Sequence, residues 1–485
     1  MNNTMVDDLI LLTPQFVLVI AGMTLMLLEP FTAPAHKNRM ARIAVVAAAV
    51  AALSLGSQWR DNPHTILNGM FIVDNFSLFF QWLFLVILGV SVLISMNFNE
   101  RESINRGEYY SLLLFACSGM SLMVSSYDLI LTFIGIEILS IATYVLAGFK
   151  KNDIRSNESS LKYFLLGSFA TAFLLYGIAL IFGSTGSTNY QAISELVTAT
   201  LEGNFQTTTL IGMGLLLVGF SFKIALVPFH SWAPDVYEGA PTPVTAFMTV
   251  GPKAAGFAAL MRILVEALPF MADAWVTILW CLAILTMVLG NVVAVLQTNV
   301  KRMLAYSAIA HAGYILVGIV TNSDTGFSAV LFYLVAYTIM NLIAFSVILS
   351  ISGIGDTRVE LDDYAGLARK TPFAAAALSL SLVSLAGIPL TGGFIGKFYL
   401  FSAAIQKGYV GLAVIGVLSS VVSVFYYFRL LVYMYMKEPE ETTPAPEPMS
   451  LHIQIIIVMG VIGILWLGVF PDHVLSLADY SILAP

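Results

Sequence analysis

Ser384–Phe398 reads SLAGIPLTGGFIGKF, inside an apolar run from about Phe373 to about Ala404. A helix that only has to sit in lipid needs no proline, no cluster of glycines and no lysine. Proline removes a backbone donor and clashes with the preceding turn. A lysine at the bilayer centre costs about 2.5–3.5 kcal/mol even on lenient insertion scales. Both penalties fall in one span. That combination predicts an interrupted helix lining a polar interior, with Lys397 held there for function.

Of the 485 residues, 58% are hydrophobic and 11% charged, whereas a soluble domain carries roughly 25% charged residues. This balance excludes a soluble enzyme or a nucleic-acid-binding protein and predicts a polytopic membrane protein surrounded by lipid. The net charge of −7 is uninformative, because charge in such a chain is sorted by membrane side. Cys117 and Cys281 lie in apolar runs, match no metal or redox spacing, and read as buried packing residues. No Lys or Arg precedes Lys37, and Asp7 and Asp8 stand where a signal peptide would be basic, so the first run reads as an uncleaved span.

Apolar runs of about 20 residues suit helices crossing a hydrocarbon core about 30 Å thick. Fourteen are expected, near 9–30, 40–58, 75–97, 109–126, 128–149, 161–183, 209–229, 243–268, 275–296, 303–321, 326–352, 372–405, 409–436 and 452–470, the second being the weakest. Of the 22 Lys and Arg residues, this arrangement puts sixteen on or beside one set of connections, four within spans and only Arg60 and Lys407 on the other side. The positive-inside rule then makes the rich side cytoplasmic and both termini periplasmic. The stretch 184–208, without Lys or Arg, reads as an outer loop, and the Pro- and Glu-rich stretch 438–450 as a cytoplasmic connector.

Ionisable residues deep in spans are functional candidates by default. Glu137 lies in the fifth span, Lys223 in the seventh, Lys253 in the eighth and Lys397 in the twelfth, each too far from a span end to snorkel. His311 in the tenth span has Ser307 one turn earlier on the same face; it reads either as part of a proton path or as a hydrogen-bonded core histidine. Lys162 starts the sixth span, where snorkelling explains it equally well, and Arg262, two turns from a helix end, is read as snorkelling. Lysine suits a proton relay because burial and neighbouring charge move its proton affinity, whereas arginine stays charged.

The seventh span repeats the opening anomaly, with Pro228 five residues after Lys223. The two anomalies lie five spans apart. A five-helix unit, 4–8 followed by 9–13, fits that interval, and an odd number of spans turns the second copy upside down. The expected fold class is therefore an all-α polytopic membrane protein of about 14 transmembrane helices, with two inverted five-helix repeats and discontinuous helices 7 and 12. The expected division is 1–108, a three-helix segment; 109–268 and 275–437, the two repeats; and 452–485, a final helix and tail.

FHSWAPDVYEGAPTP (Phe229–Pro243), NVKRMLAYSAIAHAGY (Asn299–Tyr314) and SLAGIPLTGGFIGKF together resemble the proton-translocating antiporter-like subunits of respiratory complex I and of Mrp sodium/proton antiporters. Within that superfamily, PDVYEGAP and the lysine of GFIGKF are similar to the subunit N family of bacterial NADH:quinone oxidoreductases. The resemblance implies that Glu137 and Lys223 form the pair that modulates proton affinity, that Lys253 is the central lysine, Lys397 the terminal one and Lys162 the helix-6 lysine, with His230, Asp235 and His311 also on family positions. It implies that this chain holds no cofactor or metal, while NADH, FMN, iron–sulfur clusters and quinone sit in other subunits. The implied partners are further membrane subunits, above all the antiporter-like subunit M and the small subunits K, J and A, in lipid, with no nucleic acid. The implied location is the bacterial cytoplasmic (inner) membrane.

The expected mechanism is a proton relay: uptake from the cytoplasm past Lys162, transfer through Lys223, Lys253 and His311, and release by Lys397. Separating Glu137 from Lys223 removes the stabilising carboxylate and drives the proton onward. Two units of proton affinity amount to roughly 2.7 kcal/mol, enough to move one charge against 100 mV, which costs about 2.3 kcal/mol. An Mrp-type cation/proton antiporter subunit, and a membrane scaffold without a proton path of its own, are the rival readings.

Overall fold

The computed structural model describes residues 8–33, 36–59, 62–199, 204–438 and 449–483. Asp7, Arg60 and most of the 438–450 connector lie outside the described residues. The long helices are α1 (Thr13–Leu28), α2 (Asn38–Gly56), α3 (Asn75–Arg101), α4 (Gly107–Val124), α5 (Leu129–Ala147), α6 (Ile154–Thr185) and α7 (Asn204–Lys223). There follow α8 (Thr242–Arg262), α9 (Ala272–Leu296), α10 (Val300–Val320), α11 (Asp324–Ile351), α12 in two halves (Pro372–Ala386 and Gly392–Gln406), α13 (Val410–Met436) and α14 (Leu451–Val469).

The chain is thus an almost wholly helical polytopic membrane protein. Eleven of the described helices are long and apolar enough to cross a membrane. Of the expected spans, the fourth, seventh and twelfth fall outside that group: α4 carries Glu108, two tyrosines and three serines, and the other two are interrupted. α8, α10 and α11 are buried around nearly their whole circumference, while α1, α6 and α14 expose most of theirs. A helix apolar on every side belongs in the middle of a bundle, and the middle is where Lys253 and His311 are carried.

Both expected interruptions are present. The first half of α12 ends at Gly387, whose φ of +84° suits glycine alone at no cost, and Pro389 lacks the donor that would continue the ladder. Thr391 then caps the second half, accepting from Phe394 N. Serine, glycine and proline chemistry therefore builds the break, and Gly393 lets the halves meet: a Cβ there would stand 1.9 Å from the Ser384 carbonyl oxygen. α7 ends at Lys223, earlier than the expected 229. The chain turns through Ala225, at φ +59°, and restarts as the short helix Trp232–Gly239.

The two expected five-helix units share local constructions. Asp128 caps α5 and bridges Asn189 in the connection after α6; Asn299 caps α10 and bridges Glu360 in the connection after α11. In both units the first two helices cross at a glycine pair, Gly119 with Gly135 and Gly290 with Gly313, where an added Cβ would meet the neighbouring backbone at 2.7–2.9 Å.

Four features depart from the sequence reading. The expected outer loop 184–208 contains the helix Tyr190–Ala199. An antiparallel hairpin, His64–Ile66 with Phe71–Val73, follows α2; its strands are only three residues each, too short for a periodicity signal. Cys281 is exposed on the surface of α9, and only Cys117 is buried. Arg262 does not snorkel: it is fully buried, forks onto Asp74 with two bonds of 2.8 Å, reaches Glu266 at 3.2 Å and donates to the Val124 carbonyl. A planar guanidinium matched to a carboxylate in this way stays charged away from water.

Candidate functional site

Lys253 occupies the centre. It is 2% exposed, its ammonium donates to the Ala308 carbonyl of α10 at 2.5 Å, and it lies 5.6 Å from the Tyr337 ring centroid. His311, one turn beyond Ala308, is sealed among tyrosines. Its Nδ1 meets Tyr333 Oη at 2.5 Å and its Nε2 meets Tyr427 Oη at 3.2 Å, while Tyr337 and Tyr314 pack against the ring at 5.3 and 5.4 Å. Ser307 bonds the same Tyr427 hydroxyl, as its place on the His311 face anticipates.

Lys397 completes the row. Its ammonium donates to the Leu385 and Ala386 carbonyls at 2.8 and 3.1 Å and to Ser420 Oγ at 2.8 Å, and lies 4.7 Å from the Tyr314 ring centroid. The carbonyls that the α12 break leaves without helical donors are thus the ones that hold the lysine. Tyr426 and Tyr427 of α13 serve other groups, Tyr426 donating to Asn291 Oδ1 and Tyr427 meeting His311. A cavity of about 470 Å³ opens beside Lys397 between α12 and α13, lined by Ser420, Gln406 and apolar side chains. Lys253, Tyr337, His311, Tyr314 and Lys397 therefore form a continuous row of contacts across α8, α11, α10 and α12.

Lys223 ends α7, 6% exposed, and donates to Ser140 Oγ of α5 at 2.9 Å. Glu137 is on the same helix one turn before Ser140, yet it makes no ion pair with Lys223, and its Oε1 is buried without a hydrogen-bond partner. The expected pair is near but parted. Two other expected residues stand apart from the row. Lys162 has a side chain 42% exposed and is bound by Glu158 and Asp235, each at 2.8 Å. His230 lies in the α7 interruption, half-buried, with Nδ1 unpartnered.

Toward one end of the bundle, ion pairs link α6, the short helix Trp232–Gly239 and the start of α10, and the start of α10 also holds Asp356. Asp235 takes Lys162 and Arg302, Arg302 also takes Glu238, and Lys301 takes Asp356 at 3.3 Å. Burial pushes the Asp356 carboxyl up, but Lys301 and the Thr242 hydrogen bonds outweigh it and hold it below its ordinary value of 3.8. Among the described residues, no group of three His, Cys, Asp or Glu is placed to hold a metal.

Sequence reasoning missed Tyr314, Tyr333 and Tyr337 and the serines Ser140 and Ser420. These tyrosines lie inside apolar spans, and a buried phenol needs a partner. That requirement is the signal that could have found them.

Broken helices around a buried, acid-poor row of lysines and one histidine define a membrane protein built to pass small cations or protons between membrane faces. Residues 126–423 match the family described as NADH:quinone oxidoreductase/Mrp antiporter, transmembrane, and the chain belongs to that family. It is 47% identical over 98% of its length to NADH-quinone oxidoreductase subunit N of Trichlorobacter lovleyi, covering 97% of that protein. It is 44% identical over 98% of its length to subunit N 1 of Solibacter usitatus, again covering 97%. Among solved structures, a chain of respiratory complex I from Thermus thermophilus superposes with a TM-score of 0.81 at 36% identity, over 96% of this chain and 99% of that one. A chain of the Mrp complex from Dietzia sp. superposes at 0.85 with 21% identity, over 97% and 96%, a likeness of fold alone.

Proposed function

We propose that this chain is a proton-translocating subunit of the membrane arm of an NADH:quinone oxidoreductase. The observation that carries the reading is identity of 47% to a subunit N over nearly the whole of both chains, in a protein whose buried core holds the lysine row. The Mrp reading rests on fold likeness at 21% identity and is the weaker of the two.

On this reading the chain is one part of an H⁺-translocating enzyme. NADH oxidation and quinone reduction, with FMN and iron–sulfur clusters, belong to other subunits, and the M, K, J and A types are this chain's membrane neighbours. The chain lies in the bacterial inner membrane with fourteen crossings and both termini periplasmic, and 109–268 and 275–437 are inverted copies. The matching caps, bridges and glycine crossings support that division.

Within the chain, Lys223 receives a proton arriving from the cytoplasmic end. Glu137 balances its charge, and loss of that balance sends the proton on. Water carries it to Lys253, since a proton crosses gaps between fixed groups through bridging water. His311, Tyr337 and Tyr314 then span the distance to Lys397, which releases the proton towards the outer side. Lys162 and Asp235 form the gate at the uptake end.

Proteins that co-purify in mild detergent test the assignment. Flavin- and cluster-bearing subunits support it, whereas a cluster-free cation antiporter assembly favours the Mrp reading. A scaffold is excluded if Lys223→Ala stops proton pumping in vesicles while the complex still oxidises NADH with an artificial acceptor.

A further inference from the structure

Glu137 and Ser140 stand three residues apart on α5, which puts them on one face, about 4.5 Å apart along the axis. The Lys223 ammonium rests on Ser140. The Glu137 carboxylate oxygen beside it is buried and unfilled. Ser140 is 1% exposed, and its own hydrogen is committed to the Ile136 carbonyl at 2.5 Å, so only lone pairs face the lysine. One long side chain therefore has two acceptors within reach, one charged and one neutral.

We propose that Ser140 is the second resting place of the Lys223 ammonium: a positioning residue that holds the lysine off Glu137 in the proton-releasing state. The inference rests on the reading of Glu137 and Lys223 as a relay pair, and names the residue that makes their separation a defined state. An ammonium beside a carboxylate holds its proton more tightly than one beside a hydroxyl. Moving the side chain one helical turn, from Glu137 to Ser140, thus loosens the proton without exposing the lysine or leaving it without an acceptor. When the ammonium gives H⁺ to water, the neutral amine keeps its lone pair and still donates to Ser140, so the return stroke begins from a hydrogen-bonded state.

The surroundings suit a short swing. The Lys223 stem packs at Gly256 of α8, where an added Cβ would lie 3.8 Å from Cγ. The groups acting on the lysine are Glu137 on α5 and Tyr163 on α6, its ring centroid 6.0 Å from Nζ, with Tyr144 packed against Tyr163. Glu137 is the one carboxylate among them. Lys397 likewise rests on a serine, Ser420, together with the Leu385 and Ala386 carbonyls.

The test compares Ser140→Val, Ser140→Ala and Ser140→Thr in the whole complex reconstituted in vesicles, reading proton pumping against pH. NADH oxidation by an artificial acceptor and subunit content report assembly. Without the hydroxyl, the ammonium stays with Glu137 and releases its proton only at higher pH. The Val and Ala variants should therefore shift the pumping profile alkaline by about one pH unit, while Thr, isosteric with Val, keeps the wild-type profile. In a Glu137→Gln background the Ser140→Ala shift should vanish, because the charged resting place is gone. Val, Ala and Thr profiles that all coincide with wild type overturn the role of Ser140, even if Glu137→Gln and Lys223→Ala impair pumping. Normal pumping by Lys223→Ala would instead overturn the relay reading itself. An equal loss in Thr and Val, with no pH shift, would reduce Ser140 to a packing residue and also overturn the proposal.

Discussion

At the scale of single residues, what distinguishes the lysines is the acceptor each is given. Lys223 has a hydroxyl with a carboxylate one turn away, Lys253 has a carbonyl, and Lys397 has two carbonyls and a hydroxyl. Neutral acceptors keep an ammonium hydrogen-bonded without locking its proton in place. Lys397→Arg tests this directly. A guanidinium keeps its proton and is too broad for the cradle between Ala386 and Ser420. Pumping should fall about tenfold or more, equivalent to at least about 1.4 kcal/mol of barrier, and Lys397→Ala should be worse. Normal pumping by the arginine variant would mean that fixed charge suffices. Glu137→Gln should impair pumping more than Glu137→Asp, since the amide keeps volume but cannot balance Lys223. Equal, near-wild-type rates in both would defeat the switch pair.

At the scale of elements, the α12 interruption is costly to build and specific in form. Leu390 sits at φ +70°, a left-handed conformation that burdens a side-chain-bearing residue by about 1–2 kcal/mol. Its side chain is largely exposed, so Leu390→Gly should leave stability unchanged or raise it by up to about 1 kcal/mol in thermal melts. Gly393→Ala should do the opposite. The new Cβ would collide with the Ser384 carbonyl and prise the halves apart, costing about 1–3 kcal/mol and disturbing the Lys397 cradle. If Gly393→Ala melts and pumps like wild type, the close approach of the two halves is unimportant.

At the scale of the whole molecule, Arg302 of α10 pairs with Asp235 and Glu238, and Asp356 bonds Thr242 of α8 and Lys301 of α10, so relative movement of these elements must work against those bonds. Asp356, bound by Thr242 at the start of α8 and by Lys301 at the start of α10, is the best-buried carboxylate of that set. Because its folded-state value is depressed, its contribution is fully present above the unfolded value near 3.8 and is lost as pH falls through the folded value. Asp356→Asn, which leaves Lys301 buried without its counter-charge, should destabilise the purified complex by about 3 kcal/mol at pH 7. In melts against pH, the gap between variant and wild type should stay constant from about pH 7 to 5 and close only below about pH 4. A gap that closes by pH 5 would contradict the depressed value.

The sequence by itself determined the class of protein, the positions of the broken helices and the identity of the deep lysines. Each of these is a local cost, such as a charge, a proline or a missing side chain in an apolar run, and a local cost is visible wherever it stands. It also pointed to Glu137 and Lys223 as partners, but it could not say whether they touch. Only tertiary structure decided that Lys223 rests on Ser140, that tyrosines from α10, α11 and α13 enclose His311, and that Arg262 is buried against Asp74. The physical reason is distance along the chain: 83 residues separate Lys223 from Ser140 and 188 separate Arg262 from Asp74. A serine or a tyrosine in an apolar span carries little cost of its own, so nothing local marks it until packing sets it against a lysine or a histidine.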